Sequence, residues 1–323
     1  MRYVEAGGVR VSAIGLGTWQ FGAREWGYGD DYARHEARAI VDRALALGVD
    51  LIDTAEMYAF GRSERIVGDA IADRRGDVFV ATKLFPVAPF APVVEWRARR
   101  SARRLGVAHI DLYQVHWPNP VVPDGPTMAG MRRVLDSGLV AHAGVSNYSL
   151  ARWRRAQDAL GRPLLSNQVK FNLAERGPLR DLVPWAQAND RIVIAYSPLA
   201  QGFLSGKYDA EHLPAGSARR TNTLFLPENL TRGAELLDVL RSVANRHGAT
   251  PAQVALAWLI RRPNVVAIPG ARSVAQLEAN AAAGDLDLSD ADDAALTEAA
   301  EAYRPERGAA ALPALARRVV GSR

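Results

Sequence analysis

Eight short apolar runs, separated by segments with the repeat of amphipathic helices, limit this chain more tightly than any other feature. The runs lie near Ile14–Gly17, Leu51–Asp53, Val78–Lys83, Leu112–His116, Ala141–Ser146, Ser166–Val169, Ile192–Tyr196 and Val265–Pro269. Runs of this length read as strands, and strands alternating with helices read as a parallel sheet. Eight such repeats allow closure into a (β/α)8 barrel of the TIM-barrel class. Ahead of them, "MRYVEAGGVRVSAIGLGTW" reads as a hairpin turning at Gly7-Gly8. The segment "DYARHEARAIVDRALALG" predicts a helix with Ala39, Ile40, Ala44 and Leu47 on one apolar stripe and Gly48 as its stop. Ser63 in "SERIVGDAIA" reads as a helix N-cap. The interval from Ser197 to Asn264 is about twice as long as the others. It calls for a long loop-and-helix insertion after the seventh barrel strand, and loops of that length are usually functional. No linker or shift in composition divides residues 1–323, so one barrel domain is expected.

The informative residues close the apolar runs. Asp53, Lys83, His116, Ser146 with Asn147, Gln168 and Tyr196 stand at six consecutive strand ends. A barrel of this type builds its site at that face, from the ends of different strands. Each residue alone has an ordinary explanation: Asp53 a cap, Tyr58 a packing aromatic, Lys83 a solvated strand end, His116 a satisfied core histidine. Together they suit proton transfer. Tyrosine is a poor acid at neutral pH, and a neighbouring ammonium would lower its pKa. A carboxylate beside that lysine would keep it charged. Asp53, Lys83 and Tyr58 offer those three groups, and His116 a donor toward a carbonyl oxygen that gains charge. Lysine occurs only at Lys83, Lys170 and Lys207, arginine supplying the other basic residues. A lysine kept at position 83 of such a chain points to ammonium chemistry.

The stretches "DTAEMYAFGRSE", "ATK" ending at Lys83, "YQVHWPNP", "GVSNYS", "NQVKFN", "AYSPLAQGFLSGKY" and "IPGARSVAQLEAN" resemble, in order, the motifs of the aldo-keto reductase superfamily. The resemblance spans Ile14 to Asn280 and is closest to bacterial members related to the β subunit of voltage-gated potassium channels. It implies an NADP(H)-dependent oxidoreductase that reduces aldehydes or ketones, with Tyr58 as general acid, Asp53 and Lys83 tuning it, and His116 orienting the carbonyl. Ser146, Asn147 and Gln168 would hold the nicotinamide carboxamide, and Tyr196 would stack on its ring. Ser197, Pro198, Leu199, Gln201, Ser205 and Lys207 would follow the pyrophosphate, with Arg219 closing over it. Gly270, Arg272, Ser273, Gln276 and Asn280 match the adenosine end, where Arg272 favours the 2'-phosphate of NADP over NAD. The family's Glu-Asn pair reads Ala279-Asn280 here, so one usual adenine contact is missing. The same resemblance keeps two other readings open, a nucleotide-binding regulatory subunit with slow turnover and a tailoring ketoreductase for a sugar or natural product.

Other chemistries find little support. The absence of cysteine excludes disulfides, thiolate catalysis and Cys-ligated zinc. The six histidines show no ligand spacing, so no metal is expected. "GLGTWQ" lacks the third glycine of a dinucleotide fingerprint; its Thr18 and Trp19 are expected to face cofactor or substrate. No GxSxG motif is present for a serine hydrolase. Net charge is +5, and the basic runs "EWRARRSARRL" and "ARWRRAQ" read as solvated helix faces rather than nucleic-acid grips. No apolar run approaches a membrane span, and the composition is compatible with a cytoplasmic protein. Trp19, Phe21, Trp26, Tyr28, Phe85 and Trp117 fall in loops after the first, third and fourth barrel strands and are candidates to wall an apolar substrate pocket. The tail after Tyr303 reads as a short amphipathic helix.

Overall fold

A computed structural model describes residues 1–22, 30–214 and 222–311 of the chain. The hairpin pairs β1 (Tyr3–Ala6) with β2 (Val9–Ser12) in antiparallel register, and Gly7 and Gly8 turn it at φ 58° and 78°. Positive φ at both central residues gives a turn whose twist matches the strands, which is why glycine stands at both.

The eight predicted barrel strands form one parallel sheet in sequence order. They are β3 (Leu16–Gly17), β4 (Leu51–Asp53), β5 (Phe79–Leu84), β6 (Ile110–Val115), β7 (Val140–Ser146), β8 (Ser166–Lys170), β9 (Ile192–Tyr196) and β10 (Val265–Ala267). Parallel bridges from Ile14 to Ala267 and from Gly17 to Gly270 join the two edges. The glycines of "GLGTWQ" serve this seam. A Cβ on Gly17 would stand 2.7 Å from the Ile268 carbonyl oxygen, and one on Gly15 2.7 Å from Leu51 Cδ2. They permit close backbone approach where the barrel closes, a role unrelated to a phosphate loop. The first and last barrel strands are shorter than their apolar runs, and Pro269, just beyond the last, has no N–H to donate to a ladder.

Helices cover the sheet: α1 (Asp30–Ala46), α2 (Arg62–Ile71), α3 (Ala91–Leu105), α4 (Asp124–Asp136), α5 (Leu150–Leu160) and α6 (Leu182–Ala188). On α1 the buried residues are Ala37, Ile40, Val41 and Ala44, whereas Ala39 is exposed. The stripe is thus set two residues earlier than Ala39 suggested, as the 3.6-residue repeat through Ile40 and Ala44 requires. Ser63 is not the cap of α2. Gly61, left-handed at φ 80°, holds that position, and Ser63 lies inside the helix, fully buried. Its hydroxyl is within 2.9 Å of both Thr18 and Thr54, tying α2 to the barrel rim.

After β9 the insertion runs through 3-10 turns at Ala200–Ser205 and Thr223–Phe225, then helices Pro227–Arg232 and Ala234–Arg246. Helix Pro251–Ile260 then precedes β10, and Val274–Ala282 and Asp290–Ala302 follow it. One continuous apolar core runs from Val4 to Tyr303. Among the described residues, no helix is long and apolar enough to cross a membrane. The expected tail helix lies mostly outside the described residues; within them only a 3-10 turn, Gly308–Ala311, follows Tyr303.

Candidate active site

Asp53 and Tyr196 close β4 and β9, and Ser146 closes β7 with Asn147 just beyond it. Lys83 and Gln168 stand slightly inside their strands, and His116 is the first residue past β6. All seven therefore face the same end of the barrel. Tyr58 reaches that end from the turn between β4 and α2.

Lys83, with no exposed side-chain surface, donates to Asp53 Oδ1 at 2.6 Å, to the Thr54 carbonyl at 2.9 Å and to the Tyr58 hydroxyl at 3.1 Å. The second Asp53 oxygen accepts from Gln168 Nε2 at 2.8 Å. The carboxylate is satisfied on both sides and aimed at the ammonium, the condition under which a buried ion pair persists. Burial pulls the Lys83 ammonium down, yet Asp53 and Tyr58 together hold it above its ordinary value. Burial likewise pushes the Asp53 carboxyl up, against Lys83, Gln168 and Gln114.

Tyr58 departs from the expectation of a lowered pKa. Burial raises it, the lysine opposes this, Asp53 adds to it, and the net direction is upward. The ammonium's charge is largely answered by Asp53 in the same low-dielectric pocket, so desolvation of the phenolate wins. The Tyr58 ring meets His116 edge-on, with centroids 5.8 Å apart. His116 is buried and stacks on Trp117 at 3.8 Å. Burial, then the charge of Lys83, drops its pKa to about 2, so the ring is neutral at every working pH.

Around this centre, Ser146 Oγ donates to the Gln168 carbonyl at 2.8 Å. Asn147, left-handed at φ 63°, donates to the His116 carbonyl at 3.1 Å and accepts from the Tyr196 hydroxyl at 3.0 Å. The half-buried Tyr196 has its pKa raised, first by burial. Past it, Ser197, Ala200, Gln201 and Gly202 all take positive φ, so the chain through Pro198 and Leu199 is tightly looped. Asn222 donates to Gln201 Oε1 at 2.9 Å, Ser205 Oγ to the Gly202 carbonyl at 2.6 Å, and Lys207 is exposed. At the last strand end, Arg272 N bonds Gln276 Oε1 at 2.9 Å, and Ser273 caps helix Val274–Ala282. Asn280 turns inward to the Gly270 carbonyl at 3.2 Å. Thr18 is fully buried, its hydroxyl held by the Asp53 carbonyl at 2.9 Å, whereas Trp19 is 47% exposed. Phe85 and Trp117 meet edge-on at 5.9 Å beside His116, and Phe21 is buried in the core. Trp26, Tyr28 and Arg219 lie outside the described residues.

Several residues of this region carry no sequence signal for it. Gln20 bridges the seam, donating to the Gly17 and Ala271 carbonyls at 3.1 and 2.8 Å. Gln114, fully buried, adds to the polar surroundings of Asp53. Two arginines of the basic run on α3 turn inward rather than into solvent: Arg97 to Glu56 at 2.8 Å and Arg104 to Glu64 at 2.5 Å. No group of three or more metal-ligating side chains exists among the described residues.

The mouth of this parallel (β/α)8 barrel thus gathers an aspartate, a lysine, a tyrosine and a histidine. The aldo/keto reductase family model matches residues 13–301. The chain belongs to the aldo-keto reductase family. It is 61% identical over 306 residues to an uncharacterised oxidoreductase of Mycobacterium tuberculosis, covering 94% of each chain. It is 34% identical to the methylglyoxal reductase of Escherichia coli, over 95% of this chain and 96% of that one. Among solved structures, an aldo-keto reductase from Klebsiella pneumoniae in complex with NADPH superposes with a TM-score of 0.74 at 31% identity, covering 95% and 98%.

Proposed function

We propose that the protein is an NADP(H)-dependent reductase of aldehydes and ketones in which Tyr58 is the general acid. One observation carries this reading: a single buried ammonium, Lys83 Nζ, bridges Asp53 at 2.6 Å and the Tyr58 hydroxyl at 3.1 Å. An ammonium so placed donates to the phenol oxygen and stabilises the negative charge that grows there as the proton leaves. Asp53 keeps the ammonium charged and aimed. Tyr58, with its pKa raised, is protonated at neutral pH and holds the proton that a reduced carbonyl oxygen requires. The neutral His116 ring orients the carbonyl as a hydrogen-bond donor, and its stacking on Trp117 holds the ring plane. Phe85 and Trp117 form an apolar wall for the substrate, and Trp26 and Tyr28 belong to the same proposed pocket.

The donor set fits a nicotinamide dinucleotide, which when bound supplies the hydride. Ser146, Asn147 and Gln168 would hold its carboxamide, Tyr196 would stack on its ring, and Thr18 and Trp19 would face cofactor or substrate. The looped backbone from Ser197 to Ser205, with Lys207 and Arg219, suits a pyrophosphate. Arg272 and Ser273 stand at the N-terminus of helix Val274–Ala282, where backbone N–H groups and a guanidinium favour a 2'-phosphate. Gln276 and Asn280 brace that corner through Arg272 N and the Gly270 carbonyl. The Klebsiella relative's NADPH complex supports the same cofactor here.

The purified protein is expected to oxidise NADPH in the presence of 4-nitrobenzaldehyde, and Tyr58→Phe to lose most of that rate while still binding NADPH. Failure to bind NADPH overturns the proposal. A tightly retained cofactor with negligible turnover across a broad carbonyl panel would instead favour the regulatory-subunit reading.

A further inference from the structure

We infer that Glu56 is a positioning residue for Tyr58, acting with Arg97 of α3; the inference rests on the reading of Tyr58 as general acid. The turn that carries Tyr58 has little packing of its own. Met57 is 42% exposed and Phe60 98% exposed, and Ala59 and Phe60 are both left-handed. Apolar burial therefore does little to hold the turn against the barrel, yet the Tyr58 hydroxyl must stay 3.1 Å from Lys83.

Glu56 adds a side-chain tether to the bond by which its own backbone N–H donates to the Lys83 carbonyl at 3.3 Å. Its Oε1 accepts from the Phe85 backbone N–H at 2.6 Å and from Arg97 Nη1 at 2.8 Å. Glu56 lies two residues before Tyr58, and Phe85 two residues after Lys83. One carboxylate thus ties together the two segments that present the acid and its ammonium. The side chains of Glu56 and Arg97 are only 10% and 21% exposed, so solvent and salt screen the pair weakly. Bonds to a charged acceptor are the stronger kind, and this carboxylate accepts two on one oxygen.

A second clamp repeats the pattern on the far side of Tyr58. Glu64, fully buried on α2, accepts from Thr82 Oγ1 at 2.6 Å and from Arg104 Nε at 2.5 Å. Thr82 is the residue before Lys83, and Arg104 also approaches Glu56 to 3.9 Å. Carboxylates on either side of Tyr58 are therefore locked to α3 arginines, one also to Thr82 of β5 and the other to Phe85 just past it. A shift of about 1 Å in a catalytic group costs on the order of 100-fold in rate. Glu56, being nearer and bonded to the Lys83 segment's backbone, is the clamp that sets the hydroxyl's position.

The test compares Glu56→Ala, Glu56→Gln, Arg97→Met and Tyr58→Phe in the full-length protein with NADPH and 4-nitrobenzaldehyde. Glu56→Ala should lower kcat roughly 10- to 100-fold, with NADPH affinity by fluorescence titration unchanged. Its solvent isotope effect on kcat should rise, because proton delivery becomes the slow event. Glu56→Gln, whose amide oxygen can still accept from Phe85 N, should fall between wild type and Glu56→Ala. Adding Arg97→Met to Glu56→Ala should cost nothing further. Where Glu56→Ala does not fold, Arg97→Met reads the same loss of kcat at smaller size, since it removes the arginine half of the tether and leaves the bond to Phe85 N in place. Wild-type kcat and isotope effect in the folded variants would overturn the inference, as would NADPH affinity falling in step with kcat. The two failures are separable. If Tyr58→Phe keeps the full rate, the acid assignment falls and this inference with it; if Tyr58→Phe loses the rate and the Glu56 variants keep it, only the inference falls.

Discussion

The role proposed for His116 depends on a ring that does not titrate near neutral pH. Burial and the neighbouring Lys83 charge bring its pKa to about 2, against 6.5 for the free side chain. Between those values the unfolded chain binds a proton that the folded protein excludes, so the folded state loses stability as pH falls below about 6.5. The slope from this one group is at most about 1.4 kcal/mol per pH unit. Chemical denaturation at pH 7, 6, 5 and 4 should therefore show a steeper loss for wild type than for His116→Gln, by up to one proton; parallel curves would mean that the ring is protonated in the folded state. The sequence made much of this residue scale legible. Asp53, Lys83, His116, Gln168 and Tyr196 sit at or beside strand ends, and strand ends can be read from apolar runs. What it left hidden was each group's electrostatic balance. Proximity to Lys83 suggested a lowered Tyr58 pKa, and only the depth of burial, a tertiary quantity, reverses the sign. Glu56 with Arg97, and Glu64 with Arg104, were hidden for a related reason. An arginine-rich helix looks solvated until its rotation against β5 is known, and local spacing does not fix that rotation.

At the scale of elements, the turn between β4 and α2 is the least regular piece of the barrel mouth. Ala59 and Phe60 take φ values of 46° and 54° in succession before Gly61 at 80°. A left-handed conformation costs an L-residue with a Cβ on the order of 1 kcal/mol, and glycine escapes that cost. Ala59→Gly should therefore stabilise the protein by up to about 1 kcal/mol, less the extra chain entropy that glycine loses on folding. Urea unfolding would register this as a higher midpoint at unchanged slope. A lower midpoint would mean that the Ala59 methyl makes contacts worth more than the backbone penalty. Helices and strands with strong periodicity, such as α3 and β9, followed directly from the pattern. The turn did not, because "YAFG" carries one glycine where three successive residues are left-handed. Ser63 was misleading for the same reason: the irregular turn delivers the chain into α2 with Gly61 already capping it, leaving the serine to bind Thr18 and Thr54.

At the scale of the molecule, closure of the sheet brings the first and last barrel strands together at one mouth. The seam at Gly17 and Gly270 is braced by Gln20, which bonds the Gly17 and Ala271 carbonyls. That brace carries Arg272, Ser273 and the start of helix Val274–Ala282 to a fixed place beside the first barrel strand. The proposed 2'-phosphate corner is therefore part of the barrel frame, and binding there should stabilise the whole fold. A ligand that binds only the folded state adds about 2.7 kcal/mol at 100 times its Kd. In a thermal-unfolding series, NADPH should raise Tm, and NADH at the same concentration should raise it less, because NADH lacks the phosphate that Arg272 would meet. Arg272→Gln should shrink the NADPH shift toward the NADH value while leaving the NADH shift and the ligand-free Tm in place. Equal shifts for the two nucleotides in wild type would remove the case for NADP selectivity at this corner. A loss of both shifts in Arg272→Gln would mean that the arginine holds the adenosine end in common rather than reading its phosphate.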